Sequence, residues 1–162
     1  MNTFINKEDL IKNTQISNNV DAELLVPHII IAQDMYITSI LGEALSTELL
    51  DQIEAGSISG HNYTLWQEYI IPAASYYTWY SAAPFMAFKT HRSGIIRQTT
   101  DNSESTSMEE FSYYVKRVEK TAIHYATRLE TYLHDNADNF PLYRRFCGKS
   151  QVNKGGGLYL RY

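Results

Sequence analysis

Hydrophobic positions along the chain recur mainly at helical spacing, and polar or glycine-containing stretches divide them into segments. Phe4 and Ile5 precede Asn6, with Asp9 three residues on and Leu10 next. That is the arrangement of an N-cap with a hydrophobic staple, opening a short helix to about Lys12. The polar run NTQISNN ends it. Over residues 21–41, Leu25, Ile29, Ala32, Tyr36 and Ile40 fall near one face, which predicts a helix that Gly42 terminates in a left-handed turn. Pro27 must sit in the first turn of that helix or kink it. Residues 43–55 read as a third helix with the stripe Leu45, Leu49, Leu50 and Ile53 and the terminator Gly56.

A longer apolar helix is predicted from about Tyr63 to Phe88, bent or divided at Pro72 and Pro84. Residues 69–88 carry no charge and are long enough on paper to cross a bilayer. Tyr76, Tyr77, Thr78, Trp79 and Tyr80 at the centre weaken that reading, so a helix buried in a core or an interface is expected, with no membrane partner. Residues 89–107 then read as a loop in which residues 94–99 form a brief strand. Ser107 and Glu110 make an S-x-x-E capping box. Behind it Phe111, Tyr114, Val118, Ala122, Tyr125, Leu129 and Tyr132 recur at spacings of three and four, predicting a helix of about 28 residues, roughly 42 Å long. The expected fold is mainly α: a compact bundle of about four to five helices, with a long loop or short β element between the two longest helices and an extended C-terminal tail. Residues 1–143 form the helical domain and 144–162 the tail.

Composition adds two constraints. A length of 162 residues suits one domain. The single Cys147 can form neither an internal bridge nor a four-ligand zinc site, which suggests a reducing setting. The first residues lack a basic segment followed by an apolar run, so no secretory signal is expected. Thirteen tyrosines fit either a core with wet edges or extensive protein contacts. Tyr76-Tyr77 and Tyr113-Tyr114 are adjacent pairs whose members point in different directions on a helix. One of each is therefore expected near a surface that a neighbouring subunit could cover.

Charge is divided unevenly. Formal net charge is −4, but residues 144–162 hold Arg144, Arg145, Lys149, Lys154 and Arg161 and no acid, while residues 1–143 hold 9 basic and 18 acidic residues, a net −9. The tail is either a loose basic end or a docking element. The second reading is favoured, because Gly155, Gly156 and Gly157 lead into the alternating Leu158, Tyr159, Leu160, Arg161 and Tyr162. Such a strand can add to a sheet edge in another protein.

Chemistry-bearing motifs are sparse. The five histidines, His28, His61, His91, His124 and His134, have no spacing that sets two ligands on one helical face, and no Glu-x-x-His pair occurs. No G-x-S-x-G motif is present, Cys147 has no designated base, and Gly155–Gly157 lacks the Lys-Ser/Thr of a phosphate loop. No catalytic residue, metal or cofactor is expected. His91, Arg92 and Arg97, around Gly94, Ile95 and Ile96, make the central loop locally basic before Asp101 and Glu104 reverse it. It is either an ordinary solvated loop or a contact with a neighbouring subunit or with duplex DNA phosphates.

The runs Val20-Asp21-Ala-Glu-Leu-Leu-Val-Pro27-His-Ile-Ile-Ile-Ala32-Gln33, Leu41-Gly42, Tyr69-Ile70-Ile71-Pro72-Ala73, Ser93-Gly94-Ile95 and Phe140-Pro141-Leu142-Tyr143 occur in an order that resembles the head-tail connector proteins (adaptor or head-completion proteins) of tailed bacteriophages, most of all the ring proteins of crAss-like phages. The likeness spans roughly residues 16–143. It implies a structural virion protein that forms a ring, usually of twelve subunits, in the phage neck. Such a ring joins the portal to further neck or tail proteins and extends the channel through which double-stranded DNA passes without specific binding. By the same resemblance the protein is made in the host bacterial cytoplasm and resides at the head-tail interface of the virion. The central loop, with Arg92 and Gly94 to Arg97, would make inter-subunit or channel contacts. The tail, Lys149, Lys154, Gly155, Gly156, Gly157, Leu158, Tyr159, Leu160, Arg161 and Tyr162, would clasp the portal. The alternative is a non-enzymatic interaction module that binds a single protein partner through its basic tail.

Overall fold

The computed structural model describes residues 2–17, 20–91, 94–97 and 107–143. These form a mostly helical bundle with one short β element. Helix α1 is Lys7–Asn13, capped as the sequence predicts: Asn6 Oδ1 accepts from the Asp9 N–H, and Asp9 Oδ2 accepts from the Asn6 N–H, both at 3.0 Å. Helix α2, residues 22–41, opens on Asp21, whose carboxylate accepts the Glu23 N–H. It runs as an α-helix through Ala22–Ala32, widens into a π turn over Gln33–Ile37, and closes as Thr38–Leu41. Pro27 is its sixth residue, beyond the first turn, where it removes the bond to the Glu23 carbonyl while the helix continues.

Gly42 ends α2 and begins α3, Glu43–Glu54. Its φ is positive as expected, at 79°, but ψ is 154°, so the turn is the mirror-extended conformation open essentially to glycine alone rather than a left-handed helical one. The Gly42 N–H donates to Thr38 and its carbonyl accepts from Ser46, so one residue closes one helix and starts the next. Helix α3 ends differently. Gly56, with φ 62°, donates to Ile53 and Ser57 donates to Gln52, the paired bonds of a Schellman motif.

Helix α4, residues 60–87, comprises Gly60–Leu65, a second π turn over Trp66–Ile70, and Ile71–Ala87. It starts three residues earlier than the apolar pattern suggests and carries both prolines without dividing. Pro72 lies two residues past the end of the π turn at Ile70, and the wider turn gives room for a ring that would press on the Glu68 carbonyl in a regular helix. Strands β1, Phe88–His91, and β2, Gly94–Arg97, pair antiparallel with Phe88 opposite Arg97 and His91 opposite Gly94. The predicted brief strand is therefore the second arm of a hairpin whose first arm had read as helix end and loop. Helix α5, Met108–Asp135, has the predicted 28 residues and the predicted capping box between Ser107 and Glu110. A 3-10 turn, Ala137–Asn139, leads to the buried Phe140.

Helix α4 lies at the centre, packed against α1, α2 and α5. That position explains the lack of charge over its residues 69–87: Ile71, Ala73, Ala74, Ser75, Tyr77, Thr78, Trp79, Ala82 and Ala83 are buried all round its axis. Its small residues let neighbouring backbones approach. The stretch read as long enough for a bilayer is thus the core helix of the bundle. By length and composition Glu23–Leu41 in α2 also suffices for a span, yet its inner face, Leu25, Ile29, Ala32, Ile37 and Leu41, is buried inside the protein.

Candidate interaction surfaces

The α4–α5 contact is an antiparallel seam of tyrosines. Tyr69 stacks on Tyr132 at 4.1 Å between ring centroids, with 15° between the planes, and Tyr76 stacks on Tyr125 at 5.2 Å and 17°. Seven residues separate the tyrosines on each helix, so successive pairs meet on one face two turns apart. The Arg128 guanidinium lies between the two pairs, 5.4 Å from the Tyr69 ring and 5.6 Å from the Tyr125 ring. A planar cation on electron-rich faces suits this place better than an ammonium. Farther along the seam the Tyr80 hydroxyl donates to Glu119 Oε1 at 3.3 Å, and Trp79 leans on Tyr114.

A second stack joins α2 to α4. Tyr36 and Tyr77 lie 3.9 Å apart and 7° from parallel. Burial pushes the Tyr77 phenol up to about 12, and the neighbouring Tyr36, Glu119 and Tyr80 push in the same direction. Tyr76 and Tyr77 thus both find ring partners within the chain, Tyr77 buried and Tyr76 partly exposed. In the other pair Tyr113 is exposed and Tyr114 partly so.

The N-terminal segment is held from both sides. The Phe4 N–H donates to Gln33 Oε1 at 3.0 Å, and the Phe4 carbonyl accepts from Trp66 Nε1 at 2.8 Å. Gln33 and Trp66 each begin one of the two π turns. Local widening of a helix re-aims the side chains around it, and here both side chains meet the backbone of one residue, Phe4. No motif in the sequence signals this arrangement.

Two exposed surfaces stand out. On α2, Leu24, Ile31 and Met35 lie at spacings of seven and four on the face away from the core, Leu24 being 66% and Met35 61% exposed. One turn after Leu24, His28 accepts or donates at Nδ1 to the Ser81 hydroxyl at 2.9 Å and packs its ring 5.0 Å from that of Phe85, itself exposed. Burial lowers the His28 pKa. The second surface is acidic. Residues 13–88 contain Asp21, Glu23, Asp34, Glu43, Glu48, Asp51, Glu54 and Glu68 and no Lys or Arg. Half of these carboxylates are on α3, and no ion pair joins an α3 carboxylate to a cation among the described residues.

The structure brings together part of the predicted loop site. Gly94, Ile95, Ile96 and Arg97 form β2, opposite His91, Thr90, Lys89 and Phe88. Arg92 lies outside the described residues, as do Lys149, Lys154, Gly155, Gly156, Gly157, Leu158, Tyr159, Leu160, Arg161 and Tyr162 of the tail. Among the described residues no group of three or more His, Cys, Asp or Glu is placed to hold a metal ion. Residues 37–151 match a family of unknown function (DUF6712), a span from the π turn of α2 into the tail. No curated protein and no solved structure matches the chain.

Proposed function

The chain belongs to the family DUF6712, which carries no functional assignment, and we propose that it is a structural protein of the phage neck: a ring subunit that joins the portal to the tail and extends the DNA channel. The observation that carries this reading is the exposed apolar stripe Leu24, Ile31 and Met35, uncovered among the described residues, on a helix whose other face is in the core. A ring subunit needs such a surface, since a head-to-tail contact uses a different patch on each side of every subunit. Exposed apolar residues aligned on one face are the chemistry that another protein surface covers. The resemblance to connector proteins and the acidic body supply further support. A net −9 over residues 1–143 repels phosphates, a useful property in a conduit through which DNA must slide without sticking.

In this reading the hairpin at Gly94–Arg97 faces a neighbouring subunit or the channel, and the basic tail attaches to the portal. Electron microscopy of the protein mixed with its portal tests it: a closed ring seated on the portal is expected, and a strictly monomeric protein that ignores the portal in both purified and assembled forms overturns it. Removing residues 147–162 should leave the helical fold intact and abolish portal attachment. A one-to-one complex with a single protein would instead favour an interaction module working through the tail.

A further inference from the structure

The last described residues, up to Tyr143, lie beside an acidic groove. Ala44, Thr47, Glu48 and Asp51 on the outer face of α3, with Leu142, line an open groove of about 410 Å3. Glu48 accepts from Gln52 within the helix at 2.9 Å, and Glu43 and Glu54 extend the negative surface to both ends of α3. Leu142 belongs to the groove and stands two residues before Arg144, the first of five basic residues in a 19-residue segment that contains no acid.

We propose that residues 144–162 of the same chain lie back along this groove, with Arg144, Arg145 and Lys149 against Glu48 and Asp51. The reach is short. At roughly 3.3–3.6 Å per residue, Arg144 and Arg145 begin within about 11 Å of Leu142 and Lys149 within about 25 Å. Helix α3, 12 residues long, spans about 18 Å. Each exposed pair is weak by itself. Tethering raises the effective concentration of the tail at the groove to the order of millimolar, so several weak pairs suffice to keep it there. The consequence is regulatory: a tail on its own groove is not free for another protein, and a partner must displace it. This holds whatever the partner is and does not depend on the portal reading.

Carbodiimide coupling in the full-length chain tests the clasp with native groups only, since it joins an amine directly to a carboxylate. Lys149 and Lys154 should couple within one chain to Glu48 and Asp51, several-fold more than to Asp135 and Asp138, which are nearer to the tail in sequence. The yield should fall several-fold between about 0.05 and 0.5 M salt. The double substitution Glu48→Gln and Asp51→Asn should abolish these links while the helical circular dichroism spectrum is unchanged. Coupling dominated by Asp135 and Asp138, coupling insensitive to salt, or no coupling at all overturns the proposal. So do links formed mainly between isotopically light and heavy chains in a mixture, which would place the tail on a second copy. Portal attachment, read separately, is untouched by any of these outcomes.

Discussion

The indole of Trp66 donates to the Phe4 carbonyl across 62 residues of sequence, and the Phe4 N–H is taken up by Gln33. Both backbone hydrogen-bonding groups of Phe4 are therefore satisfied by side chains, one from α2 and one from α4. Phe4 itself is 1% exposed, so neither backbone group has water as an alternative. Gln33→Ala should destabilise the protein by about 1–3 kcal/mol through an orphaned N–H. Trp66→Phe, which keeps most of the ring and loses the donor, should cost a comparable amount. Urea denaturation of the two single variants and the double variant checks this, and single costs that simply add up to the double variant's would show that the two bonds hold the segment independently.

The two glycine terminators should respond differently to the same substitutions. Gly56 sits at the left-handed position of a Schellman motif, a conformation that Asn adopts tolerably, so Gly56→Asn should cost under about 1 kcal/mol. Gly42 has φ 79° and ψ 154°, where any Cβ is strained although no neighbouring atom lies within 4 Å of it. Gly42→Asn and Gly42→Ala should each cost about 1–3 kcal/mol. Thermal melts of the four variants, Gly56→Ala included, give the comparison.

Alkaline pH should loosen the core. Tyr77 is held at about 12 against an ordinary 10.0, and Tyr36, Tyr76, Tyr80, Tyr114 and Tyr132 are raised too, in each case first by burial. Between pH 10 and 12 the unfolded chain releases phenolic protons that the folded chain retains. Stability is therefore intact below about pH 10 and falls as the pH rises toward 12. Urea midpoints should be level from about pH 7 to 9 and drop steeply above 10. Tyr77→Phe should make that drop shallower, and an unchanged slope in this variant would assign the loss to other groups.

The seam between α4 and α5 should show direct coupling. A double-mutant cycle on Tyr69 and Tyr132 with leucine replacements is expected to give about 0.5–1.5 kcal/mol beyond the additive value. Arg128→Met retains the aliphatic stem and removes the charge between the two stacks, so it should cost about 0.5–1 kcal/mol with little change in secondary structure.

Assembly, as distinct from folding, should depend on the outer face of α2. Leu24→Ser together with Met35→Ser replaces two exposed apolar side chains and should leave the monomer's melting temperature within about 2 °C. The same pair should weaken ring formation on the portal at least tenfold, measured as the fraction of assembled particles at fixed protein concentration. Normal assembly of this variant would place the subunit contact elsewhere.

Much of this architecture is local and therefore legible along the chain. The Asn6 and Ser107 capping boxes, the 28-residue span of α5, the stripe of α3 and the glycine stops at Gly42 and Gly56 all follow from interactions within a few residues. Helix period and cap chemistry carry that information with no knowledge of what the helix packs against. The charge split is equally plain in the sequence. Other features depend on contacts between distant segments. Gln33 and Trp66, each at the start of a π turn, bond to the backbone of Phe4 some 30 and 60 residues away, a meeting that no local pattern encodes. The tyrosine excess is visible as a count, but which rings stack was decided by the antiparallel docking of α5 on α4 and of α2 on α4, which placed Tyr76 and Tyr77 in two different seams. Period marks the face of Leu25, Ile29 and Ala32 as the inner one of α2, but docking decided that the apolar Leu24, Ile31 and Met35 stay outside, because only the neighbour's position distinguishes a covered apolar face from an exposed one.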